Sequence, residues 1–291
     1  MSVASREIRG GADGPVVPRE SGSRRNGLSP GSGGSALRGP VQSTDRSMKT
    51  TGIIQARMGS SRLPGKVLTD LGGETVLSRV VHRLSRSILL DEVMVATTFS
   101  PLDDAIIGEC RSLGVSCFRG SEQDVLDRYY RAAQACNADV LVRITADCPL
   151  IDPELVDKTV RVFHEQRADY ASNTGAHTYP RGLDAEVFSR LALGRAWHEA
   201  CKPYEREHVT PYFYEHPELF RVASADGPED HGQYRWTLDT QEDLALIRAI
   251  YLRFANRDDF TWTQAIAAME QEPELRKLNS HILQKSLHGG G

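Results

Sequence analysis

Arg57, Arg62 and Lys66 stand around Gly59 and Gly65 in the stretch Ile53-Ile54-Gln55-Ala56-Arg57-Met58-Gly59-Ser60-Ser61-Arg62-Leu63-Pro64-Gly65-Lys66, an apolar strand running into a glycine-rich loop. The glycines permit tight turns and close backbone approach. Exposed amides and the Ser60 and Ser61 hydroxyls can donate hydrogen bonds, and the three cations supply charge. That composition suits phosphate, so the chain is expected to bind a nucleotide. A solvated basic turn after a buried strand is the plain structural alternative. The phosphate loop of the ATPases does not fit, because Gly59 and Gly65 lie one residue too far apart and Val67 follows the lysine where a magnesium-binding hydroxyl belongs. The dinucleotide pattern G-x-G-x-x-G is absent as well.

Two acids complete the chemistry. Asp147 follows an apolar run at 140–145 and Asp239 follows another at 234–238. In open α/β sheets the crevice beyond the carboxyl ends of strands is where ligands bind. A phosphate loop with two such carboxylates suits a magnesium nucleotide: Mg²⁺ takes one or two carboxylates and leaves phosphate oxygens and water to fill its shell. Phosphoryl or nucleotidyl transfer is the implied reaction. Helix capping is the alternative for each acid, since Asp147 precedes Pro149 and Asp239 precedes Thr240.

The elements that must position these groups alternate apolar strands with amphipathic helices, the pattern of a mainly parallel sheet covered on both faces. Strands are expected at 51–56, 92–98, 115–118 and 140–145. Helices are expected at 75–86, 101–113, 122–136 and 153–166, the last capped by Asp152. Shorter strands at 170–173 and 185–188, separated by Gly175 and Pro180, imply an antiparallel excursion. A strand at 234–238 and a helix at 242–254 resume the parallel theme.

The 291 residues allow one large α/β domain with extra segments. Five cysteines without a C-x-x-C pair suit reduced thiols in a cytoplasmic protein, and their spacing does not point to zinc. A net charge of −4 and a pI near 6.2 argue against a chain that coats nucleic acid or an anionic membrane, and no apolar run is long enough to span a bilayer. Residues 1–47 are rich in Gly, Ser, Pro and Arg with no aromatic residue, and are expected to be a disordered extension. Glu7, Asp13, Glu20 and Asp45 argue against an organellar presequence, and a start at Met48 is an equal reading. The catalytic domain is then 48–279, followed by a flexible tail at 280–291.

These motifs resemble the cytidylyltransferases that activate acidic sugars as CMP conjugates, especially the branch of spore coat polysaccharide biosynthesis proteins. Ala56-Arg57 with Ser61-Arg62-Leu63-Pro64-Gly65-Lys66 is similar to the family's phosphate loop. Arg143-Ile144-Thr145-Ala146-Asp147-Cys148-Pro149 resembles its first metal motif, and Trp236-Thr237-Leu238-Asp239-Thr240 its second. Gly120-Ser121-Glu122 with Asp124, Val125, Leu126 and Arg128 resembles the segment beside the base and ribose. Asp169-Tyr170-Ala171-Ser172-Asn173 and Gly182-Leu183-Asp184-Ala185-Glu186 resemble acceptor-side strands. The resemblance spans about 49–254 and implies a three-layer α/β/α sandwich with a mixed, mainly parallel sheet, the nucleotide-diphosphosugar transferase fold, and a homodimer.

The resemblance further implies attack by an acceptor oxygen on the α-phosphorus of CTP with release of pyrophosphate. Ala56, Arg57, Gly59, Ser60, Ser61, Arg62, Lys66, Gly120, Asp124, Arg128 and Arg143 would bind the nucleotide. Asp147 and Asp239 would hold Mg²⁺, and Arg57, Lys66 and Asp147 would be catalytic, Lys66 stabilising the leaving group. Asn173, Arg181, Asp184 and Glu186 would line a pocket for an acidic sugar or phosphonate-like acceptor, with Arg181 suited to an anion. Gln55 stands where synthetases of CMP-linked ulosonic acids usually carry proline, a departure that belongs to the spore coat branch.

Cys148 lacks a base in register and reads as a small buried thiol. The run from Tyr204 to Tyr212 reads as an amphipathic helix with solvated charges, or as a segment near the acceptor side. His177, His208 and His231 lack metal spacing. The rival functions are a sugar-1-phosphate or molybdopterin nucleotidylyltransferase, a glycosyltransferase of the same fold, and a nucleotide-sensing protein without turnover. A glycosyltransferase would more often show an Asp-x-Asp pair, which Asp147 lacks.

Overall fold

The fold is a computed structural model that describes residues 48–283. The expected extension at 1–47 and the end of the tail, 284–291, lie outside the described residues.

Seven strands form one sheet: β1 (Thr50–Gln55), β2 (Glu92–Thr98), β3 (Ser116–Gly120), β4 (Val140–Thr145), β5 (Tyr170–Ser172), β6 (Glu186–Ser189) and β7 (Val222–Ser224), in the order β3-β2-β1-β4-β6-β5-β7. β1 is central, which is why it is apolar toward both sides: Ile53 and Ile54 are both fully buried, one in the core of each face. It pairs in parallel with β2 and with β4. β6 runs antiparallel to both β4 and β5, which is the excursion that the sequence implied.

The helices are α1 (Val76–Leu84), α2 (Asp104–Leu113), α3 (Val125–Ala135), α4 (Pro153–Glu165), α5 (Arg190–Glu199), α6 (Pro203–His208), α7 (Pro211–Tyr214), α8 (Gln241–Arg253), α9 (Trp262–Gln271) and α10 (Pro273–Lys277). α1, α2 and α4 bury their apolar stripes on one face of the sheet, and α3, α5 and the segment around α7 cover the other. The result is the three-layer sandwich. α8 and α9 close a third cluster around the fully buried Trp236. Local chemistry sets the helix starts: Thr75 accepts from Ser78 N at 2.9 Å, Asp152 from Glu154 N at 2.9 Å, and Thr240 forms a reciprocal cap with Asp243.

Two expectations need correction. The helix expected from 122 begins at Val125, because the Asp124 carboxylate caps it by accepting from Asp127 N at 2.9 Å, and this leaves residues 121–123 as a loop. The strand expected at 234–238 does not form. Its neighbour is a turn instead of a strand, so Arg235 makes a single bridge with Arg181. Trp236 N donates to Arg181 O at 2.7 Å and Leu238 N to Asp147 O at 2.8 Å, so the segment is pinned without joining a ladder. β7, α5 and α9 had no counterpart in the sequence reading; β7 is three residues long with one of them buried, too short for a period to show.

Chain direction places the site. From β1 the chain steps outward to β2 and β3, then returns to lay β4 on the other side of β1. The crevice beyond the ends of β1 and β4 is therefore the topological switch point, where such sheets bind ligands. The turn that pins the 234–238 segment depends on Gly182. Its φ is +101°, and a Cβ there would meet Trp236 C at 2.6 Å and Thr237 N at 2.7 Å. Gly182→Ala is expected to lose more than ~2 kcal/mol of stability, read as a lowered urea midpoint. An unchanged midpoint would show that the two backbones separate freely.

Candidate functional site

The loop after β1 is held at both ends and open between them. Gly65 N donates to Met58 O at 3.1 Å, Met58 N donates to the buried Asp103 at 2.7 Å, and Leu63 drops its side chain into the core beside Leu71. Gly65 adopts φ +71°, which starts the 3-10 turn Lys66–Leu68 and turns Lys66 inward. Among the described residues, the amides of Gly59, Ser60, Ser61 and Arg62 have no partner within the fold. These four residues line a cleft of about 860 Å³ together with Arg57 and Lys66. Ala56 itself is buried at the strand's end and contributes backbone.

Lys66 joins the two predicted metal carboxylates. Its Nζ lies 2.7 Å from Asp147 Oδ2, 2.8 Å from Asp239 Oδ1 and 2.8 Å from Leu238 O. Arg62 and Arg235 approach the other oxygen of Asp239 at 2.9 and 2.7 Å, and Thr145 donates to Asp147 Oδ1 at 2.6 Å. Burial opposes the charge on Lys66, but Asp147 and Asp239 outweigh it and hold the ammonium above its ordinary value. Burial likewise opposes ionisation of Asp239, and Lys66 and Arg62 reverse that, keeping the carboxyl below its usual range. Neither acid is a helix cap: Thr240 caps α8 and Asp152 caps α4.

This donor set suits Mg²⁺. Three oxygens, two of them from carboxylates, already surround a compact cation, the Lys66 ammonium. Among the described residues no three His, Cys, Asp or Glu side chains converge on a metal, so an ion here would complete its shell from phosphate and water. Cys148 is buried, and burial and Asp147 push its thiol well up, which leaves it a poor nucleophile.

The base-side candidates lie beneath the wall instead of on it. Arg128 is fully buried and donates to Ser121 O at 2.6 Å, and its stem passes Gly120 where a Cβ would come within 2.8 Å. Burial depresses its affinity for a proton. Asp124 caps α3 and holds Arg206. These three residues shape the loop whose Glu122 and Gln123 face the cleft.

Across the cleft, the sheet face that carries Ile53 presents Gln55, Arg143 and Thr145. Arg143 pairs with Glu186, its partner in the β4–β6 register, and Tyr170 Oη donates to the same carboxylate at 2.6 Å. Burial works against the Arg143 charge, and Glu186 more than restores it. Continuing that register sets Asp184 opposite Thr145. Asn173 is a clasp: it donates to Leu183 O at 2.8 Å and accepts from Ala185 N at 2.9 Å. Arg181 holds the 234–236 segment through its backbone, and its side chain is half-buried.

Glu207 and His208, at the end of α6, also line the cleft. The sequence gives this run two readings, an amphipathic helix with solvated charges or a segment near the acceptor side, and α6 is a short helix whose last two residues face the cleft. Directly after them Val209 adopts φ 72°, ψ −54°, and Thr210 N donates to His208 O at 2.9 Å, closing a γ-turn of the strained hand. A β-branched residue there costs on the order of 1–3 kcal/mol. The turn is held because Val209 is fully buried in the same core as Phe213, while Arg206 grips Asp124 and donates to Trp197 O at 2.7 Å.

A family model described as cytidylyltransferase matches residues 51–275. The chain is 44% identical over 241 residues to protein MJ1063 of Methanocaldococcus jannaschii, covering 82% of this chain and 98% of that protein. It is 38% identical over 229 residues to the spore coat polysaccharide biosynthesis protein SpsF of Bacillus subtilis, covering 76% and 94%. The solved structure of a cytidylyltransferase from Leptospira borgpetersenii aligns with a TM-score of 0.76 at 36% identity, over 79% of this chain and 97% of that one.

Burial and then the Glu186 carboxylate push Asp184 up to about 6, against the pull of Arg181. In the unfolded chain it titrates near the ordinary value of about 3.9, so the folded protein holds the extra proton between about pH 4 and 6 and loses stability as pH rises through that window. Asp184→Asn is expected to exceed the wild type by on the order of 2 kcal/mol above about pH 6, with the gain vanishing toward about pH 4. Urea midpoints of both proteins at the two ends of the window test this; a variant less stable than wild type at neutral pH would refute it.

Proposed function

Because the chain belongs to the cytidylyltransferase family, and so to the nucleotidyltransferases that use CTP, we propose that it transfers CMP from CTP to an acidic sugar or related hydroxylated acceptor in surface-polysaccharide or nucleotide-sugar synthesis. The observation that carries this reading is the open amide loop facing a lysine-bridged carboxylate pair at the switch point of the sheet.

In the proposed reaction an acceptor oxygen attacks the α-phosphorus. The new O–P bond forms as the bond to the β-phosphate oxygen breaks, and the acceptor hydroxyl gives up its proton. Catalysis of this kind is positioning and charge stabilisation. Arg57 has no ion-pair partner among the described residues and is exposed at the cleft, ready for phosphate oxygens. The loop amides add donors fixed before the ligand arrives. Lys66 and Arg62 balance the charges of Asp147 and Asp239 and tie the loop to both acids. Asp147 and Asp239 would hold Mg²⁺, which when bound neutralises charge that develops on the phosphates. A homodimer is part of the same reading, and light scattering of the purified protein checks it.

Magnesium-dependent pyrophosphate release is expected with CTP and not with UTP, GTP or ATP, when the protein is given a panel of sugar acids, phosphosugars and phosphonates. Asp147→Asn and Lys66→Ala are expected to keep the fold by circular dichroism and to lose about a hundredfold in turnover. Preference for another nucleotide would move the protein to a neighbouring enzyme class, and near-normal turnover in either variant would sink the assigned roles.

A further inference from the structure

A second cavity, of about 390 Å³, lies between the turn before Arg181, the loop after β7 and α9. None of the residues that line it lines the cleft. Three rings, Tyr179, His231 and Trp262, supply most of its chemistry, and Ile266 adds an aliphatic side chain. The Trp262 ring stands nearly square to the other two, at 84° to Tyr179 with 5.3 Å between centroids and at 70° to His231 with 5.4 Å. The rings therefore make corners and not a flat platform. Glu229 and Glu270 also line the cavity, and among the described residues no lysine or arginine does.

We propose that this cavity is a binding site for an organic ammonium ion, a cation whose nitrogen carries alkyl groups. It is separate from the cleft and does not depend on CMP transfer.

The chemistry of the lining selects this class. Aromatic rings attract a cation through their quadrupole and at the same time offer apolar contact, which a charge clothed in alkyl groups can use and a bare, strongly hydrated ion cannot. A rounded group fits a corner of rings, whereas a flat sugar ring needs a platform. The two carboxylates balance the ligand's charge. His231 Nε2, 3.4 Å from a Glu229 oxygen, keeps one of them beside the rings. Lys158 does not take the ligand's place: its Nζ is 2.8 Å from Tyr179 Oη and 5.4 Å from the ring centroid, so it sits beyond the hydroxyl, and it donates to Asp226 O at 2.8 Å as well. Backbone contacts fix the walls. Thr178 accepts from Gly227 N at 2.6 Å through its hydroxyl and from His231 N at 2.7 Å through its carbonyl, and Trp262 N donates to Asp152 at 2.8 Å. Gly227 packs so closely on Tyr179 that a Cβ would come within 3.1 Å of the ring. Walls held in this way lower the cost of ordering a ligand between them.

The test uses the full-length protein and saturation-transfer NMR on the methyl signal of tetramethylammonium, with tert-butanol as a neutral group of similar size, at constant ionic strength. Tetramethylammonium is expected to bind with a dissociation constant of about 1–10 mM, and tert-butanol about tenfold more weakly. Glu229→Gln combined with Glu270→Gln, both at exposed positions, is expected to weaken tetramethylammonium about fivefold, and Trp262→Leu about tenfold, each with the circular dichroism of the wild type. Equal binding of tert-butanol would make the cavity an apolar hole indifferent to charge, which overturns the proposal. Unchanged affinity in either folded variant would place the cation elsewhere on the protein and overturn it as well, as would the absence of any saturation transfer to tetramethylammonium in the wild type. If Trp262→Leu loses the fold, the carboxylate variant decides alone.

Discussion

The Lys66 ammonium is the point on which the site is built. It joins the loop after β1, the end of β4 and the segment leading into α8, which the Leu238–Asp147 backbone hydrogen bond and the Arg62–Asp239 pair also tie together. Removing one partner from a buried pair of this kind costs about 3–5 kcal/mol, because the other is left uncompensated. The same contact shapes the electrostatics. Two carboxylates would repel each other across the crevice, and the lysine ammonium between them offsets that repulsion and holds Asp239 below its usual range.

Around that centre, the protein holds its functional groups with backbone more than with side chains. The 234–238 segment carries Asp239 to the crevice although it belongs to no ladder. It is held by Arg181 O, by Asp147 O and by a glycine that lets two backbones approach to a distance no side chain would tolerate. Trp236 and Leu238 point the other way, into the cluster under α8 and α9, so the anchoring of the site and the packing of the third layer are one event. Asn279 extends this from the chain's far end, donating to Arg235 O at 2.8 Å and to Asp243 at 2.9 Å.

The walls of the cleft leave some polar groups without partners. Arg143 Nε and two nitrogens of Arg128 are buried without a hydrogen-bond partner among the described residues, a condition that ordinarily costs about 1–3 kcal/mol per group. Arg143, Glu186 and Tyr170 form a charged network between sheet and helices where apolar packing would be the simpler solution. With the Val209 turn, these are departures from the most stable packing, and they lie around one cleft. Local conflict of that kind is expected at a working site.

The sequence by itself determined the central strands, the helices that cover them and the chemical character of the phosphate loop. Those features are local: period, capping residues, and glycine beside cations are written into neighbouring positions, as the matched limits of β2 and β4 illustrate. It also marked Asp147 and Asp239 as partners, since each ends an apolar run. What only the tertiary structure decided is how those groups meet. The strand read at 234–238 is no strand because its neighbour is a turn, and a turn's geometry is invisible from the segment that lies against it. Gly120, Asp124 and Arg128 fall beneath the wall because depth depends on how α3 seats. Glu207 and His208 reach the cleft because a strained turn at Val209 redirects the chain. Residue types state what chemistry is available, while the contacts between distant segments choose which of them share a cavity.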